Sequence, residues 1–203
     1  MVACPKVSII MPVYDAERYL KESIDSILNQ SFGDFECIIV SEYGTSDESI
    51  AIIESYHDRR IRHIRNTRRL GYARSLNVAL KEAQGEYVAS QDADDVSLQV
   101  RLEREVEFLD GHPRIGVVGS WFETIDEDGR AISENHTPVE SAVIKWRLLF
   151  YCPIANPSTM VRRAIYEALG GYDARLRCAR LRILDSRESD NGVRKSDGHI
   201  AAL

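Results

Sequence analysis

The sequence predicts an α/β fold: a mostly parallel sheet flanked by helices on both faces. Two observations predict it. Apolar runs rich in β-branched residues alternate with stretches of helical apolar spacing, and the linkers between them are short. A third observation places the chemistry. Acidic and aromatic residues gather just after the strand runs, and ligands of such folds sit outside the carboxyl ends of the strands.

The elements follow in order. Lys6–Val13 (KVSIIMPV) is a continuous apolar run, as a strand buried on both faces requires. The next stretch carries Tyr19, Leu20, Ile24, Ile27 and Leu28 at helical spacing, with Asp15 placed to cap it. Phe35–Ser41 is the second strand. A second helix is opened by Thr45 or Ser46, with acidic residues in its first turn. Ile61–Arg65 is a short third strand. The third helix sets Leu76, Ala79, Leu80 and Ala83 on one face and stops at Gly85. The fourth strand centres on EYVASQ. A fourth helix runs from Ser97 until Gly111 and Pro113 end it. Ile115–Ile132 reads as two strands around an Asp128-Gly129 turn.

Composition narrows the function. The 203 residues suffice for one sizeable domain, and 44% hydrophobic with 29% charged residues is ordinary for a globular chain. A net charge of −6 excludes a dedicated nucleic-acid binder but not a nucleotide ligand. Cys4, Cys37, Cys152 and Cys178 form no C-x-x-C pair, so they read as reduced thiols, with Cys37 in the core. The five histidines show no ligand spacing and read as surface or loop residues. The N-terminus turns strand-like too quickly for a secretory signal, and no run approaches the roughly 20 apolar residues that span a bilayer. The expected location is cytoplasmic, with room for peripheral contact at the inner face of the membrane.

The stretch YVASQDADDVSL places Asp92, Asp94 and Asp95 at the end of the fourth strand. Carboxylates so crowded repel one another and resist desolvation, which calls for a cation or a ligand rich in hydroxyls. D-x-D suits Mg²⁺ or Mn²⁺ held together with a diphosphate, since such ions take one or two protein carboxylates plus phosphates and water. Asp95 reads more simply as a helix cap. Tyr14 and Asp15 end the first strand and Glu42 the second, so polar groups from three strand ends meet at one edge. No P-loop, G-x-G-x-x-G, nucleophile elbow or H-E-x-x-H is present.

The blocks VSIIMPVYDAERYLKESIDSILNQSFGDFECIIVSEYGTSDESI, RNTRRLGYARSLNVALKEAQGEYVASQDADD, RLEREVEFLDGHPRIGVVGSW and IKWRLLFYCPIANPSTMVRRAIYEALGGYDARLR resemble, in order and spacing, family 2 glycosyltransferases. The resemblance covers residues 6–177. It implies the Rossmann-like GT-A fold, a UDP- or dTDP-sugar donor, Mg²⁺ or Mn²⁺, and transfer to a glycan or lipid-linked acceptor with inversion. Position by position, it implies that Pro12, Val13 and Tyr14 line the base and ribose pocket. Glu42 stands where the family has an aspartate at the uracil edge. Arg74 would approach the base or phosphates, Asp92 the ribose and Asp94 the metal. Trp121 and Asn156–Thr159 would lie toward the acceptor.

The pattern breaks after GGYD. The family's catalytic base falls at Leu181, whose side chain accepts no proton, and Asp185 is displaced by four residues. From Ala174 to Leu203 there are six Arg and one Lys against four acids, net +3, and residues 178–203 read as an atypical, disordered tail. Synonymous codons for CARLRILDSR can be chosen so that a one-nucleotide shift restores ARDYESWIR, which makes a slipped reading frame one explanation. The resemblance and its break leave three functions: a glycosyltransferase intact in donor recognition and doubtful in turnover, a non-catalytic nucleotide-sugar binder, and a nucleotidyltransferase. The last ranks lowest, because MPVYDAERY lacks a Gly- and Lys-rich phosphate loop.

Overall fold

The structure is a computed structural model describing residues 4–175 and 200–202. Its strands are β1 (Val7–Val13), β2 (Phe35–Ser41), β3 (Ile61–Arg65), β4 (Tyr87–Ser90), β5 (Val117–Ser120), β6 (Phe122–Ile125), β7 (Ala131–Asn135), β8 (Thr159–Arg162) and β9 (Ile200–Ala202). Its helices are α1 (Glu17–Leu28), α2 (Ser49–Ser55), α3 (Tyr72–Glu82), α4 (Arg101–Gly111), α5 (Ser141–Leu148) and α6 (Arg163–Leu169), with a 3₁₀ turn at Asn156–Ser158.

The main sheet has the order β3-β2-β1-β4-β8-β5-β9. The pairings β1–β2, β1–β4 and β2–β3 are parallel, while β8 runs antiparallel between β4 and β5. The expected α/β class with a mostly parallel sheet is what forms. Alternation along the strands divides the core. Val7, Ile9, Met11, Cys37 and Ile39 face Leu20, Ile24 and Ile27 of α1, Ile53 of α2 and Leu102, Val106 and Leu109 of α4. Ile10, Ile38, Val40 and Val88 face Leu76 and Ala79 of α3 and Tyr166 of α6. Both faces of β1, β2 and β4 are therefore covered, which is why those strands read as largely apolar runs, unlike the half-buried β3. Cys37 is fully buried, and that burial pushes its thiol up to about 12.

Several boundaries differ from the sequence expectation. Asp15 does not cap α1; it sits at φ 44 and its Oδ1 accepts from the Ser46 amide at 2.8 Å, across to the next loop. Thr45 and Ser46 do not open α2, which begins at Ser49, with Asp47 Oδ1 accepting from the Ser49 amide at 3.0 Å. Gly85 is not a helix stop. A Cβ there would lie 2.5 Å from the Ser8 backbone nitrogen, so the residue permits a close approach of chains. Helix α4 starts at Arg101 rather than Ser97, because the Ser97 amide donates to Ser26 Oγ and Ser97 Oγ to Gln91 Oε1.

The expected strand through Ser120 is broken at Trp121: β5 joins the main sheet, and β6 pairs with β7 in a separate hairpin. His63 is not in a loop; it lies half-buried in β3, its Nε2 2.9 Å from Ser41 Oγ, and burial lowers its pKa. Within the tail that was expected to be disordered, Ile200–Ala202 pairs antiparallel with β5, while Leu181, Asp185, Cys178 and His199 lie outside the described residues.

Candidate active site

Parallel register sets the site. Val13 pairs with Ser41 and Ile10 with Ser90, so β1, β2 and β4 end along one edge of the sheet. The Glu42 amide donates to Val13 O at 2.8 Å and the Gln91 amide to Ile10 O at 3.1 Å, extending both pairings into the loops. Tyr14, Glu42 and Asp92 thus leave the sheet side by side.

One short segment, residues 69–72, touches all three strand ends. The Arg69 guanidinium lies over the Tyr14 ring, 4.8 Å from its centroid. The Leu70 amide donates to both Glu42 oxygens at 3.0 Å, and the Gly71 amide donates to Glu42 Oε2. The Tyr72 hydroxyl donates to Asp92 Oδ1 at 2.6 Å. Gly71 stands at φ 81, a backbone state open to glycine and strained for other residues. This segment also begins α3, which sequence periodicity locates but whose hydrogen bonds to distant strand ends it does not reveal.

Glu42 is 8% exposed, and its carboxylate also accepts from the Tyr43 amide at 2.8 Å. Burial alone would raise its pKa. The amides of Leu70, Gly71 and Tyr43 and the Asn66 side chain outweigh burial and hold it below the usual carboxylate range. Pro12 is half-buried, Val13 buried and Tyr14 43% exposed. Arg74 is exposed at the start of α3, its Nη1 donating to Leu70 O at a long 3.4 Å.

The three aspartates have different surroundings. Asp92 is half-buried, and burial raises its pKa against the opposing bond from Tyr72. Asp95 is pushed up to about 6 by burial and then by the charges of Asp92 and Asp94. Asp94 is exposed and makes no hydrogen bond or ion pair among the described residues. Asp95 caps no helix: α4 begins six residues later. The donor set is all oxygen, Arg101 offsets only part of the negative charge on Asp92 and Asp95, and one carboxylate is free to project, which fits Mg²⁺ or Mn²⁺. No group of three or more His, Cys, Asp or Glu is gathered for a metal among the described residues.

Residues 8–170 match the family model described as glycosyl transferase family 2. The chain belongs to glycosyltransferase family 2. An uncharacterized glycosyltransferase of Methanocaldococcus jannaschii is 37% identical over 177 residues, covering 85% of this chain and 60% of the relative. The putative glycosyltransferase EpsE of Bacillus subtilis is 36% identical, covering 89% of this chain and 65% of EpsE. The chain therefore spans less than two thirds of the length of these curated relatives. Among solved structures, S. aureus TarS in complex with UDP-GlcNAc superposes with a TM-score of 0.68 at 24% identity, covering 83% of this chain and 48% of TarS. A mannosyltransferase of Pyrobaculum calidifontis in complex with GDP-Man and Mn²⁺ gives 0.61 at 22%, covering 85% of this chain and 49% of that enzyme. These likenesses place the family 2 domain in the GT-A fold.

Sequence reasoning missed the polar chain behind Asp92. The Asn156 side-chain amide donates to the Tyr72 hydroxyl at 3.1 Å, and the Tyr172 hydroxyl donates to Asn156 Oδ1 at 3.3 Å. Asn156 was expected toward the acceptor, and Tyr172 belongs to the GGYD block. The available signal was their place in blocks shared with the family. Trp121 stacks on His136, ring centroids 4.0 Å apart, with its Nε1 donating to Thr137 O at 2.8 Å.

Proposed function

We propose that the family 2 domain takes a nucleoside-diphosphate sugar, a UDP-sugar by the resemblance of its donor blocks, and transfers the glycosyl group with inversion to a hydroxyl of a glycan or lipid-linked acceptor. The observation that carries this reading is the edge where residues 69–72 join the ends of β1, β2 and β4 beside a free Asp94 carboxylate. The structural neighbours bound to UDP-GlcNAc and GDP-Man support a nucleotide-sugar donor.

In this reading Pro12, Val13 and Tyr14 line the base and ribose pocket. Glu42 acts on it through the loop it holds, and Arg74 meets the phosphates. Asp92 accepts from ribose hydroxyls, and Asp94 with a diphosphate oxygen holds Mg²⁺ or Mn²⁺. When bound, that cation neutralises charge on the departing diphosphate. The acceptor oxygen forms its bond to the anomeric carbon as the bond to the diphosphate oxygen breaks, and the acceptor proton passes to a base.

Leu181 at the base position favours a second reading, a domain that binds the donor and transfers little; loss of a general base lowers the rate by ~10²–10⁴. Membership of an envelope polysaccharide pathway is supported by a 31% identical relative, the O-antigen biosynthesis glycosyltransferase WbnJ of Escherichia coli. Peripheral contact with the inner face of a membrane is supported by exposed Trp146, Leu149, Phe150 and Tyr151 beside Lys145 and Arg147. Among the described residues no helix is long and apolar enough to cross a membrane.

The test is calorimetric titration with UDP, GDP and their sugars, with and without Mn²⁺. Binding that tightens about tenfold or more with the metal, and loses that gain in Asp94→Ala, supports the donor site. No binding of any nucleotide at millimolar concentration removes it. Release of UDP from a bound UDP-sugar in the same samples separates transferase from binder.

A further inference from the structure

We propose that Tyr72 is a positioning residue that presents the Asp92 carboxylate to the donor's ribose hydroxyls, and that Asn156 and Tyr172 lock it there from the far side of the sheet edge. The inference rests on the donor-site reading above and extends it to residues that touch no ligand in that reading.

The geometry is a directed chain. Tyr72 has one hydroxyl proton, and it goes to Asp92 Oδ1 at 2.6 Å. Its oxygen then accepts from Asn156 Nδ2 at 3.1 Å, so the Asn156 donor and the Asp92 acceptor together fix the hydroxyl rotor. Asn156 is fixed in turn, because its Oδ1 accepts from Tyr172. The Tyr172 hydroxyl is buried against Tyr166 at 2.7 Å and Ser90 Oγ at 3.0 Å. Its backbone is clamped twice by Asn77, which accepts from the Tyr172 amide at 2.8 Å and donates to its carbonyl at 2.9 Å. Gly171 makes room for this clamp, since a Cβ there would lie 2.5 Å from Asn77 Oδ1.

With Oδ1 held, Asp92 has one oxygen left. Oδ2 accepts no hydrogen bond among the described residues, and it belongs to the residue that the donor-site reading places at the ribose. A carboxylate pinned by one strong hydrogen bond loses less rotamer freedom on binding than a free one. The chain joins residues far apart in sequence, 84 positions between Tyr72 and Asn156, so it also ties the two halves of the domain to one side chain.

The experiment compares UDP with 2′,3′-dideoxy-UDP, each titrated with Mn²⁺ present. Wild type binds UDP about tenfold more tightly than the dideoxy form, the ratio expected for a hydroxyl accepted by a carboxylate. In Tyr72→Phe that ratio falls toward one while affinity for the dideoxy form is kept. Asn156→Ala lowers the ratio in the same direction with Tyr72 intact. A ratio that stays near tenfold in both variants overturns the proposal, as does equal weakening of both ligands, which marks a merely structural role. A wild type that binds both ligands equally also overturns it, because Asp92 then reads no ribose. If wild type binds neither UDP nor GDP, the donor-site reading itself fails and this inference falls with it.

Discussion

Glu42→Gln isolates the bond set that shapes the sheet edge. Oε1 accepts from the amides of Tyr43 and Leu70, and Oε2 from those of Leu70 and Gly71. Glutamine keeps the shape but turns one acceptor into a donor, so whichever way the amide is oriented, an N–H faces an N–H. A hydrogen bond to a charged group contributes ~1.5–3 kcal/mol, and a buried donor left unpaired costs about as much. The expected loss is about 2–3 kcal/mol, or roughly 4–12 °C in melting temperature for a domain of this size. The Glu42 pKa is lower in the folded chain than in the unfolded one, so its contribution is complete above the unfolded value and fades as pH falls through the folded one. Urea unfolding of both proteins at pH 7 and at steps below pH ~4.5 measures the gap. A variant as stable as wild type at pH 7, or a gap that acid does not narrow, refutes the reasoning.

Three further outcomes are expected. Gly85→Ala forces a methyl against the Ser8 nitrogen and Val7 carbonyl carbon and lowers unfolding free energy by about 1–3 kcal/mol, read by denaturant titration. Glu105 is buried with Oε2 unpartnered, and burial pushes it up to about 7 despite Arg101. A raised folded pKa favours the protonated native state, so stability falls as pH rises from about 5 to 7, and Glu105→Gln flattens that slope in thermal melts across the range. Replacing Trp146 and Phe150 together by Ser, both more than half exposed, leaves the melting temperature unchanged and lowers co-sedimentation with anionic vesicles several-fold.

What could be read in advance follows the range of the interactions. Strands β1, β2 and β4 were legible because burial on both faces writes itself as largely apolar runs, β3 (IRHIR, only half-buried) from its place between two helical patterns, and the position of Asp92 followed from the end of β4. The reversed strand β8 was not, since Thr159–Arg162 is four residues long and leans on β4 and β5 for its pairing. The break at Trp121 escaped for a similar reason: the strand preference runs through it, and the change of sheet depends on Thr137 and His136. Asp15 has the chemistry of a cap, but a loop from another strand end claims its oxygen. Tyr72, Asn156 and Tyr172 carry no local signature at all, because what makes them matter is a hydrogen bond spanning half the chain.

The placement of β8 has a consequence for biosynthesis. Strand β5 leaves the ribosome about 40 residues before β8, yet its neighbours in the sheet are β8 and β9, and β4 likewise shows a bare edge until β8 arrives. At ~5–20 residues per second that interval lasts about 2–8 s. The nascent chain therefore passes through a stage in which two unpaired edges coexist, and a chaperone or a pause in translation would act there rather than at the parallel half.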